Sequence, residues 1–366
     1  MPTAPASIDQ MIRTAAASPR VIGLGGGLPA EAQFPREALA ASFLRVLQRQ
    51  GSPALQYGWP EGQEPLRMWV AQRLQRRGAT VDPDDVIITN GAQQAIAIAS
   101  GLALRKGDVI GVEAESYPAA LDLFRSRGLR LGSLRHGRAS YVMPGISNPR
   151  GRPMPDDQRA ALLAQSGAII EDEAYADLDF AGHTVEPLLV AAPERTYHVG
   201  TISKTLCPGL RVGWLVVPRA RRERALEIKQ TVDLQSNSLA QAIVEDYLSH
   251  VDFEARLRVL RRFYRKRASQ LAEAVRKALP SWSFSFPEGG FSLWLTTDAT
   301  VDEKRFFERA IAEGVSFDLG SSFVRRRLPG PTQVRLCFSA EKPGKFVEGA
   351  RRLARAWRWA VKSARR

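Results

Sequence analysis

The stretch YHVGTISKTLCPGLRVGWLVV, residues 197–217, decides the fold predicted for this sequence. It begins and ends with apolar runs of strand length, and between them Lys204 stands among hydroxyl side chains and a Pro-Gly turn. Short apolar runs bounded by turn residues indicate buried strands. Outward from this stretch, over about residues 55–240, further strands of this kind alternate with amphipathic helices. The alternation predicts an α/β fold with a mainly parallel sheet covered by helices.

Seven apolar runs are predicted to form that sheet. They are VIIT (86–89), VIGVE (109–113), LRLGSL (129–134), YVMPG (141–145), AIIED (168–172), YHVGTI (197–202) and VGWLVV (212–217). Sheets of this kind bind ligands beyond the carboxyl ends of their strands. The polar residues expected at that edge are Asn90, Tyr117, Asn148, Asp172 and Lys204.

A change of pattern after residue 218 predicts a second, smaller α+β domain. Residues 241–279 lack a clear helix breaker before Pro280, and WSFSFPEGGFSLWL (282–295) is interpreted as two strands around a Pro-Glu-Gly-Gly turn. A helix (302–313), a strand within QVRLCFS (333–339) and a final basic helix follow. We predict an N-terminal arm with part of the small domain over 1–45, a large domain over 46–240 and the small domain over 241–366.

Composition excludes several classes of protein. Of the 366 residues 44% are apolar, which supports a substantial core, but no apolar run reaches the roughly 18 residues of a membrane span. The N-terminus lacks the pattern of a secretory signal. The two cysteines form no CxxC pair and the four histidines have no metal-binding spacing. We therefore expect a cytoplasmic protein with no membrane association and no metal.

The net charge of +14 raises the alternative of a nucleic-acid surface. The basic residues are spread over helical segments such as RLRVLRRFYRKR and RRLARAWRWAVKSARR, a pattern that is more often a solvated face. No recognised DNA-binding motif accompanies them. A nucleic-acid partner is therefore not expected.

The lysine of the opening stretch is the first candidate for chemistry. Thr201 and Ser203 precede Lys204 by three and one residues, and Arg211 follows it by seven. A lysine at a strand end is usually a surface residue, but it can also form a Schiff base. Hydroxyls and an arginine fork beside it can hold a phosphate group.

The segment Glu171-Asp172-Glu173-Ala174-Tyr175 is a second candidate. On its own it fits an acidic loop after a strand. In the functional interpretation, Asp172 is a strand-end carboxylate with the Tyr175 hydroxyl three residues further on. Pyridoxal 5′-phosphate (PLP) requires a carboxylate at its pyridine nitrogen, because the protonated ring then accepts electrons.

Further segments carry weaker signals. TNGAQQ (89–94) leads from a strand into a helix, whose N-terminus attracts anions. Asn-Pro-Arg-Gly (148–151) and YGWPEG (57–62) are typical of turns. Arg335 lies in a short apolar strand, and a buried arginine needs an anionic partner. That partner is either a substrate carboxylate or an internal ion pair.

In order and spacing, these segments resemble the class I/II aminotransferases of the PLP fold type I superfamily. They resemble in particular the 2-aminoadipate aminotransferase branch and the effector domain of MocR-type regulators. The likeness runs from about Ile22 to Phe338. It includes GGLPAEAQFP, LQYGWPEGQEPLR, ITNGAQQAI, EAESYPAAL, NPRG, IIEDEAYADL, SKTLCPGLRVGW and PEGGFSLWL.

The resemblance implies a role for each matching residue. Lys204 would form an aldimine with PLP and then move the substrate proton, Asp172 would pair with the pyridine nitrogen, and Tyr175 would contact the ring hydroxyl oxygen. The other implied cofactor contacts are Asn148 at the ring hydroxyl oxygen, Tyr117 stacked on the ring, Ala92, Gln93, Thr201, Ser203 and Arg211 at the phosphate, and Tyr57 from the neighbouring subunit. The implied contacts of the substrate α-carboxylate are Arg335, Asn148 and a backbone group near Gly26.

The implied activity is transfer of an amino group between an L-amino acid and a 2-oxo acid, by a ping-pong mechanism, in a homodimer with composite sites. Two departures bear on the substrate. Arg150 replaces the usual threonine of Asn-Pro-Thr-Gly, and Gln10 aligns with the arginine that binds an acidic side chain in 2-aminoadipate enzymes. A preference for acidic donors is therefore not expected, although Arg13 or Arg150 could replace the missing charge.

Two alternatives to transamination remain open. The same scaffold supports other PLP reactions, such as those of a β-lyase, a cyclase or an oxidase. A non-catalytic ligand-sensing domain is the other alternative. It is expected less, because only about 20 residues precede Ile22, too few for the DNA-binding domain that such regulators carry.

Overall fold

A seven-stranded sheet forms the centre of the computed structural model, which describes residues 20–326 and 330–364. Its strands are β2 Val86–Thr89, β3 Val109–Val112, β4 Arg130–Ser133, β5 Ala139–Val142, β6 Ala168–Asp172, β7 Thr196–Thr201 and β8 Gly213–Val216. Their order in the sheet is β2-β8-β7-β6-β5-β3-β4.

This sheet confirms the prediction of a mainly parallel α/β fold. Strand β8 pairs antiparallel with both of its neighbours, and the other paired strands run parallel. Every residue of β2, β5, β7 and β8 is buried, as expected for strands covered on both faces. Each of the seven predicted runs overlaps one strand, and β5 and β7 begin earlier than predicted, at Ala139 and Thr196.

Helices cover the sheet and continue into the C-terminal part of the chain. Their bounds are α1 Arg36–Gln50, α2 Glu64–Gln75, α3 Ala92–Ala103, α4 Pro118–Ser126, α5 Asp156–Leu163, α6 Leu188–Ala191, α7 Arg222–Asp233, α8 Ser238–His250, α9 Phe253–Ala278, α10 Glu303–Ala312 and α11 Phe346–Ala364. The predicted helix over 302–313 and the final basic helix are α10 and α11. No helix within the described ranges has both the length and the apolar composition needed to span a membrane.

The stretch 241–279 contains a break that the sequence did not signal. Helix α8 ends at His250, and α9 begins at Phe253. The carboxylate of Asp252 accepts a hydrogen bond from the backbone N–H of Ala255 at 2.8 Å, so Asp252 caps α9. A boundary without Pro or Gly is difficult to see in sequence, because a capping Asp also occurs on exposed helix faces.

A three-stranded antiparallel sheet belongs to the C-terminal part of the chain. Its order is β11 (Asp318–Leu319), β12 (Gln333–Cys337) and β9 (Ser292–Thr296). Its register places Arg335 opposite Asp318 on one side and opposite Trp294 on the other. Close by, β1 (Ile22–Gly23) pairs parallel with β10 (Val315–Ser316), so the N-terminal segment packs with the C-terminal part.

The prediction of two strands around the Pro-Glu-Gly-Gly turn was half right. The second run forms β9, but the first contributes only an isolated bridge between Ser283 and Thr296. The turn forms hydrogen bonds to a different part of the chain, because the N–H groups of Glu288 and Gly289 both donate to the carbonyl of Gly151. This segment is therefore held against the loop after residue 148.

Both predicted domain limits fall inside continuous helices. The limit at 45/46 falls inside α1, and the limit at 240/241 falls inside α8. A continuous helix moves as a unit, so a division between domains would lie at the end of a helix. The division into 1–45, 46–240 and 241–366 stays a prediction.

Candidate active site

Lys204 lies in the turn that follows β7. Its Nζ is 3.4 Å from the carbonyl oxygen of Gly27. It also lies 5.4 Å from the ring centre of Tyr175 and 5.9 Å from that of Phe291. Removal from water, followed by the charge of Arg335, lowers the pKa of Lys204 to about 8. A larger fraction of this lysine is therefore a neutral, nucleophilic amine near neutral pH than of a lysine in water.

Asp172 is the last residue of β6, the strand beside β7. The hydroxyl of Tyr141, on β5, donates to its Oδ2 at 2.6 Å, and the N–H of Ala174 donates to its Oδ1 at 3.0 Å. Burial raises the pKa of Asp172, while these hydrogen bonds oppose the rise. A cationic group beside the carboxylate would stabilise its ionised form.

Tyr175 packs between Asp172 and the small antiparallel sheet. Its ring meets that of Phe291 edge-on, with centres 5.3 Å apart. Burial raises the pKa of Tyr175 above its usual value, so its hydroxyl stays protonated at neutral pH. The backbone turn after β6 thus places Asp172 and Tyr175 on the side of the sheet where Lys204 lies.

The N-terminus of α3 forms a cradle against Arg211. Gly91, the residue before the helix, has a φ of 80°, and a Cβ on it would lie 2.6 Å from Nη2 of Arg211. Only glycine therefore lets the guanidinium approach, and Arg211 Nη2 donates to the carbonyl of Asn90 at 3.0 Å. The first N–H groups of a helix lack partners within it. At this helix start they belong to Ala92 and Gln93, and together with Arg211 they suit an anion.

Two hydroxyls stand beside this cradle. Oγ1 of Thr201 lies 2.9 Å from Oγ of Ser203 and donates to the carbonyl of Val212 at 2.8 Å. Both side chains are buried. The predicted phosphate residues are thus placed on the adjoining ends of β2, β7 and β8.

A partly buried ion pair supports the loop before α3. Oδ2 of Asp233 accepts hydrogen bonds from the side-chain amides of Asn90 and Gln94, each at 2.7 Å. On its other side Asp233 pairs with Lys229, whose Nζ is 2.9 Å from Oδ1 and whose side chain is fully buried. The contacts fix the conformation of Asn90 and Gln94, which flank the cradle.

Arg335 forms an internal ion pair, one of the two alternatives raised for it, and also contacts Asn148. Its Nη1 donates to Oδ1 of Asn148 at 2.7 Å. Its Nε and Nη2 lie 2.8 and 2.7 Å from Oδ2 of Asp318, and both side chains are buried. The internal ion pair is therefore present. The N–H of Gly26 donates to the two oxygens of Asp318 at 3.0 and 3.1 Å, so a contact between Gly26 and a substrate stays a prediction.

The aromatic residues predicted at the cofactor have different surroundings. Tyr117 precedes α4 and is half-buried against the core. Tyr57 lies on the loop before α2, with 77% of its side chain exposed. Its predicted role concerns a neighbouring subunit and stays a prediction.

The side chain of Arg150 forms a two-pronged ion pair with Glu115. Nε and Nη2 of Arg150 each donate to a carboxylate oxygen of Glu115 at 2.8 Å. Because Glu115 occupies this edge of the guanidinium, Arg150 is less available to a second carboxylate than an unpaired arginine would be. Gln10 and Arg13, the other residues considered for an acidic side chain, lie outside the described residues.

The site fits the cofactor implied by the sequence. The Gly91 cradle offers donors and a guanidinium to a phosphate. Oε1 of Gln93, in the first turn of α3, is buried and has no hydrogen-bond partner in the described part of the chain. Asp172 is a buried carboxylate suited to a protonated pyridine nitrogen, and Lys204 is an amine with a lowered pKa. These are the groups that a phosphorylated pyridine aldehyde needs.

The fold and this set of groups define a PLP enzyme of fold type I. The family model described as "Aminotransferase class I and II" matches residues 19–136 and 136–353, and the chain belongs to this family. It is a PLP-dependent aminotransferase, a transferase that moves an amino group between amino acid and oxo acid substrates.

Individual relatives agree with this assignment. The chain is 32% identical over 365 residues to aromatic-amino-acid aminotransferase 1 of Thermococcus litoralis, covering 91% of this chain and 87% of the relative. It is 31% identical to 2-aminoadipate transaminase of Thermus thermophilus, covering 92% and 90%. Among solved structures, LysN of Thermus thermophilus, complexed with N-(5′-phosphopyridoxyl)-L-leucine, has a TM-score of 0.87 and 30% identity, with 96% and 95% covered.

A transcriptional regulator is also similar. YisV of Bacillus subtilis, an uncharacterized HTH-type regulator, is 30% identical over 340 residues, which are 86% of this chain and 69% of the regulator. The predicted resemblance to both aminotransferases and regulators is therefore confirmed.

The structure adds residues to the site that the sequence interpretation did not single out. Tyr141 lies within a predicted strand, and only the pairing of β5 with β6 brings it next to Asp172, so no local signal marked its role. Asp318 is a charged residue in the apolar run VSFDL, the same signal that identified Arg335. The Lys229–Asp233 pair gave no signal, because an acid four residues after a lysine is common on exposed helices.

Proposed function

We propose that Lys204 binds PLP covalently and that the chain's other site residues hold the cofactor as the resemblance implies. The observation that carries this proposal is the lowered pKa of the Lys204 amine, enclosed by Tyr175 and Phe291, beside the buried Asp172 on the adjacent strand. The phosphate contacts are proposed to be Ala92, Gln93, Thr201, Ser203 and Arg211. The ring contacts are proposed to be Asp172, Tyr175, Asn148 and Tyr117.

Each catalytic group has a separate task in this proposal. When bound, PLP delocalises the electron pair that remains at the donor Cα after its proton leaves. Asp172 keeps the pyridine nitrogen protonated, and Tyr141 orients Asp172 by its 2.6 Å hydrogen bond. Nζ of Lys204 accepts the proton that leaves the donor Cα. It would then donate this proton to the cofactor carbon that carries the transferred nitrogen. Tyr175 donates its hydroxyl proton in a hydrogen bond to the ring oxygen.

Arg335 and Asn148 are proposed to bind the α-carboxylate of the donor, or the group that replaces it. The guanidinium of Arg335 presents one further edge, formed by the remaining N–H of Nη1 and of Nη2, because Asp318 occupies the edge of Nε and Nη2. A Cβ on Gly27 would lie 3.4 Å from Nη2 and 3.5 Å from Nη1. The missing side chain of Gly27 leaves this edge open toward Lys204, whose Nζ contacts the carbonyl of the same glycine.

A homodimer with composite sites is proposed from the exposed apolar surface around Tyr57. Leu55, Tyr57 and Trp59 are 65%, 77% and 76% exposed on one loop. The N–H of Gly58 donates to Gln235, so the loop adjoins the exposed Leu234. Contiguous exposed apolar residues mark interaction surfaces, and a second copy that covered this surface would bring Tyr57 to the partner's phosphate site.

The preferred donors are proposed to be neutral, aromatic or basic amino acids. The support is the pairing of Arg150 with Glu115, which withdraws the one described arginine that the sequence suggested for an acidic side chain. A cytoplasmic location, the lack of a nucleic-acid partner and the lack of a membrane association stay predictions from the sequence.

A single half-reaction tests the proposed activity against the alternatives. Purified holoenzyme is mixed with excess L-leucine and no acceptor, and 2-oxo acid, ammonia and oxygen uptake are measured. We expect one equivalent of 2-oxo acid per bound PLP, with no ammonia and no oxygen uptake, and one further equivalent after each addition of one equivalent of 2-oxoglutarate. Ammonia release would identify a lyase, and oxygen uptake an oxidase; either contradicts the proposal.

A further inference from the structure

We propose that Asp318 is a specificity-determining residue. By cancelling the charge of Arg335, it makes the enzyme discriminate only weakly between an amino donor with an ionised α-carboxylate and one with an uncharged carboxamide in its place. The inference rests on the proposed role of Arg335 in meeting the α-substituent of the donor.

The ion pair is a fixed part of the small antiparallel sheet. Asp318 on β11 and Arg335 on β12 are paired residues of the strand ladder. Nε of Arg335 donates to Oδ2 of Asp318 at 2.8 Å, and Nη2 lies 2.7 Å from the same oxygen. The side chain of Asp318 is 0% exposed and that of Arg335 4% exposed. The pair is therefore shielded from water and from salt.

Other groups prevent Asp318 from turning away. The N–H of Gly26 donates to both carboxylate oxygens, and Sγ of Cys337 lies 3.7 Å from Oδ2. A Cβ on Gly25 would lie 3.0 Å from Oδ1, so the backbone approaches the carboxylate closely because Gly25 has no side chain. Since a buried carboxylate without partners is costly, Asp318 stays with Arg335 when a donor binds.

Arg335 is held just as firmly. The ring centre of Phe323 lies 4.7 Å from its Cζ and covers one face, and Asn148 accepts from Nη1. A guanidinium is a rigid planar fork, so the edge of Nη1 and Nη2 that faces Gly27 is the edge left for a donor. The two N–H groups on that edge are matched by a carboxylate or by a carboxamide oxygen.

The charge of the pair decides between these two ligands. Arg335 and Asp318 sum to zero before a donor binds, and a carboxylate would leave this buried group of three with a net charge of −1. Arg150, two residues from Asn148 in sequence, is paired with Glu115, and Lys204 is assigned to the cofactor. A carboxamide accepts a hydrogen bond without adding charge. An added like charge at close range weakens binding of an ion by roughly tenfold or more.

The test compares L-leucine with L-leucinamide as donors to the holoenzyme and to the variant Asp318→Asn. Values of kcat/KM are corrected for the fraction of each donor with a neutral amine, and the ratio of leucine to leucinamide is taken. We expect a ratio below about tenfold for the natural protein and a ratio at least tenfold higher for Asp318→Asn. Asparagine keeps the shape of the side chain and removes its charge. A smaller rise in the ratio overturns the proposal.

Asp246→Asn is the matched control. Asp246 on α8 is also a buried acid paired with an arginine, with Nη2 of Arg45 2.6 Å from its Oδ2. Loss of its charge should leave the donor ratio unchanged, even where stability falls. A rise in the control equal to that of Asp318→Asn would contradict a specific role for Asp318.

Binding of unreactive analogues tests the same weak discrimination between carboxylate and carboxamide without a variant and without turnover. Calorimetry compares 4-methylpentanoate with 4-methylpentanamide on the natural holoenzyme. We expect dissociation constants within about tenfold of each other, and a stronger preference for the acid overturns the proposal. Failure of the proposed function is a separate result: neither leucine nor leucinamide would then be converted to an oxo product.

Discussion

The hydroxyl of Tyr141 donates a 2.6 Å hydrogen bond to the carboxylate of Asp172, and both side chains are buried. The two residues lie on neighbouring parallel strands, β5 and β6. A buried carboxylate resists ionisation, and this hydrogen bond favours its charged form. Tyr141 is therefore expected to position Asp172 and keep it ionised.

Tyr141→Phe should lower kcat by about tenfold, the value of a hydrogen bond to a charged group. Burial raises the pKa of Asp172 and the Tyr141 hydroxyl lowers it, so removal of the hydroxyl raises this pKa further. Activity that needs ionised Asp172 is lost as the pH falls through that pKa, so the acid limb of the pH profile should move to higher pH. The profile of kcat/KM measures the shift, and an unmoved acid limb would count against this role.

Asp172→Asn should retain PLP and lose turnover. The phosphate contacts remain, but an amide does not hold the pyridine nitrogen protonated, and loss of such a desolvated charge pair costs on the order of a thousandfold in kcat. Cofactor content is measured by absorbance after alkaline release, alongside kcat. Near-normal turnover in a variant that holds a full complement of PLP would disprove the role.

The proposed dimer is tested by mixing inactive subunits. In a heterodimer of Tyr57→Phe and Lys204→Ala chains, one site carries both substitutions and the other carries neither. Random mixing in a symmetric dimer should restore about one quarter of the activity. Light scattering of the natural protein gives the oligomeric state, and a fully active monomer would rule out composite sites.

The donor preference is tested with leucine, phenylalanine, lysine, glutamate and 2-aminoadipate. We expect neutral, aromatic or basic donors to compete well with the two acidic ones, because Arg150 is paired with Glu115. Burial of an unpaired distal carboxylate costs several kcal/mol. A lead of a hundredfold or more in kcat/KM for both acidic donors would contradict the expectation. Arg13→Ala and Arg150→Ala would then locate the responsible charge.

Much of the fold was predictable because its signals are local. The seven strands of the large sheet are short apolar runs with turn residues at their ends, and Lys204 and Asp172 follow two of them directly. The helix boundary at residues 251–252 was not predicted, because Asp252 marks it by a hydrogen bond and not by a break in composition.

The site was predictable to a smaller extent. The sequence left open whether Arg335 binds a substrate or an internal acid. The answer depends on the register of β11 against β12 and on the close approach of Gly25 to Asp318, which are features of the tertiary structure rather than properties of a segment. The role of Tyr141 likewise follows from the pairing of two strands whose sequences lie about 30 residues apart.

The covalent attachment of PLP to Lys204 is the central claim, and borohydride reduction followed by peptide mapping tests it most directly. The purified holoenzyme should be yellow, and reduction should fix the phosphopyridoxyl group on the peptide that contains Lys204. The Lys204→Ala variant should yield no labelled peptide under the same treatment. A label on another lysine, or a full label in Lys204→Ala, would contradict the account.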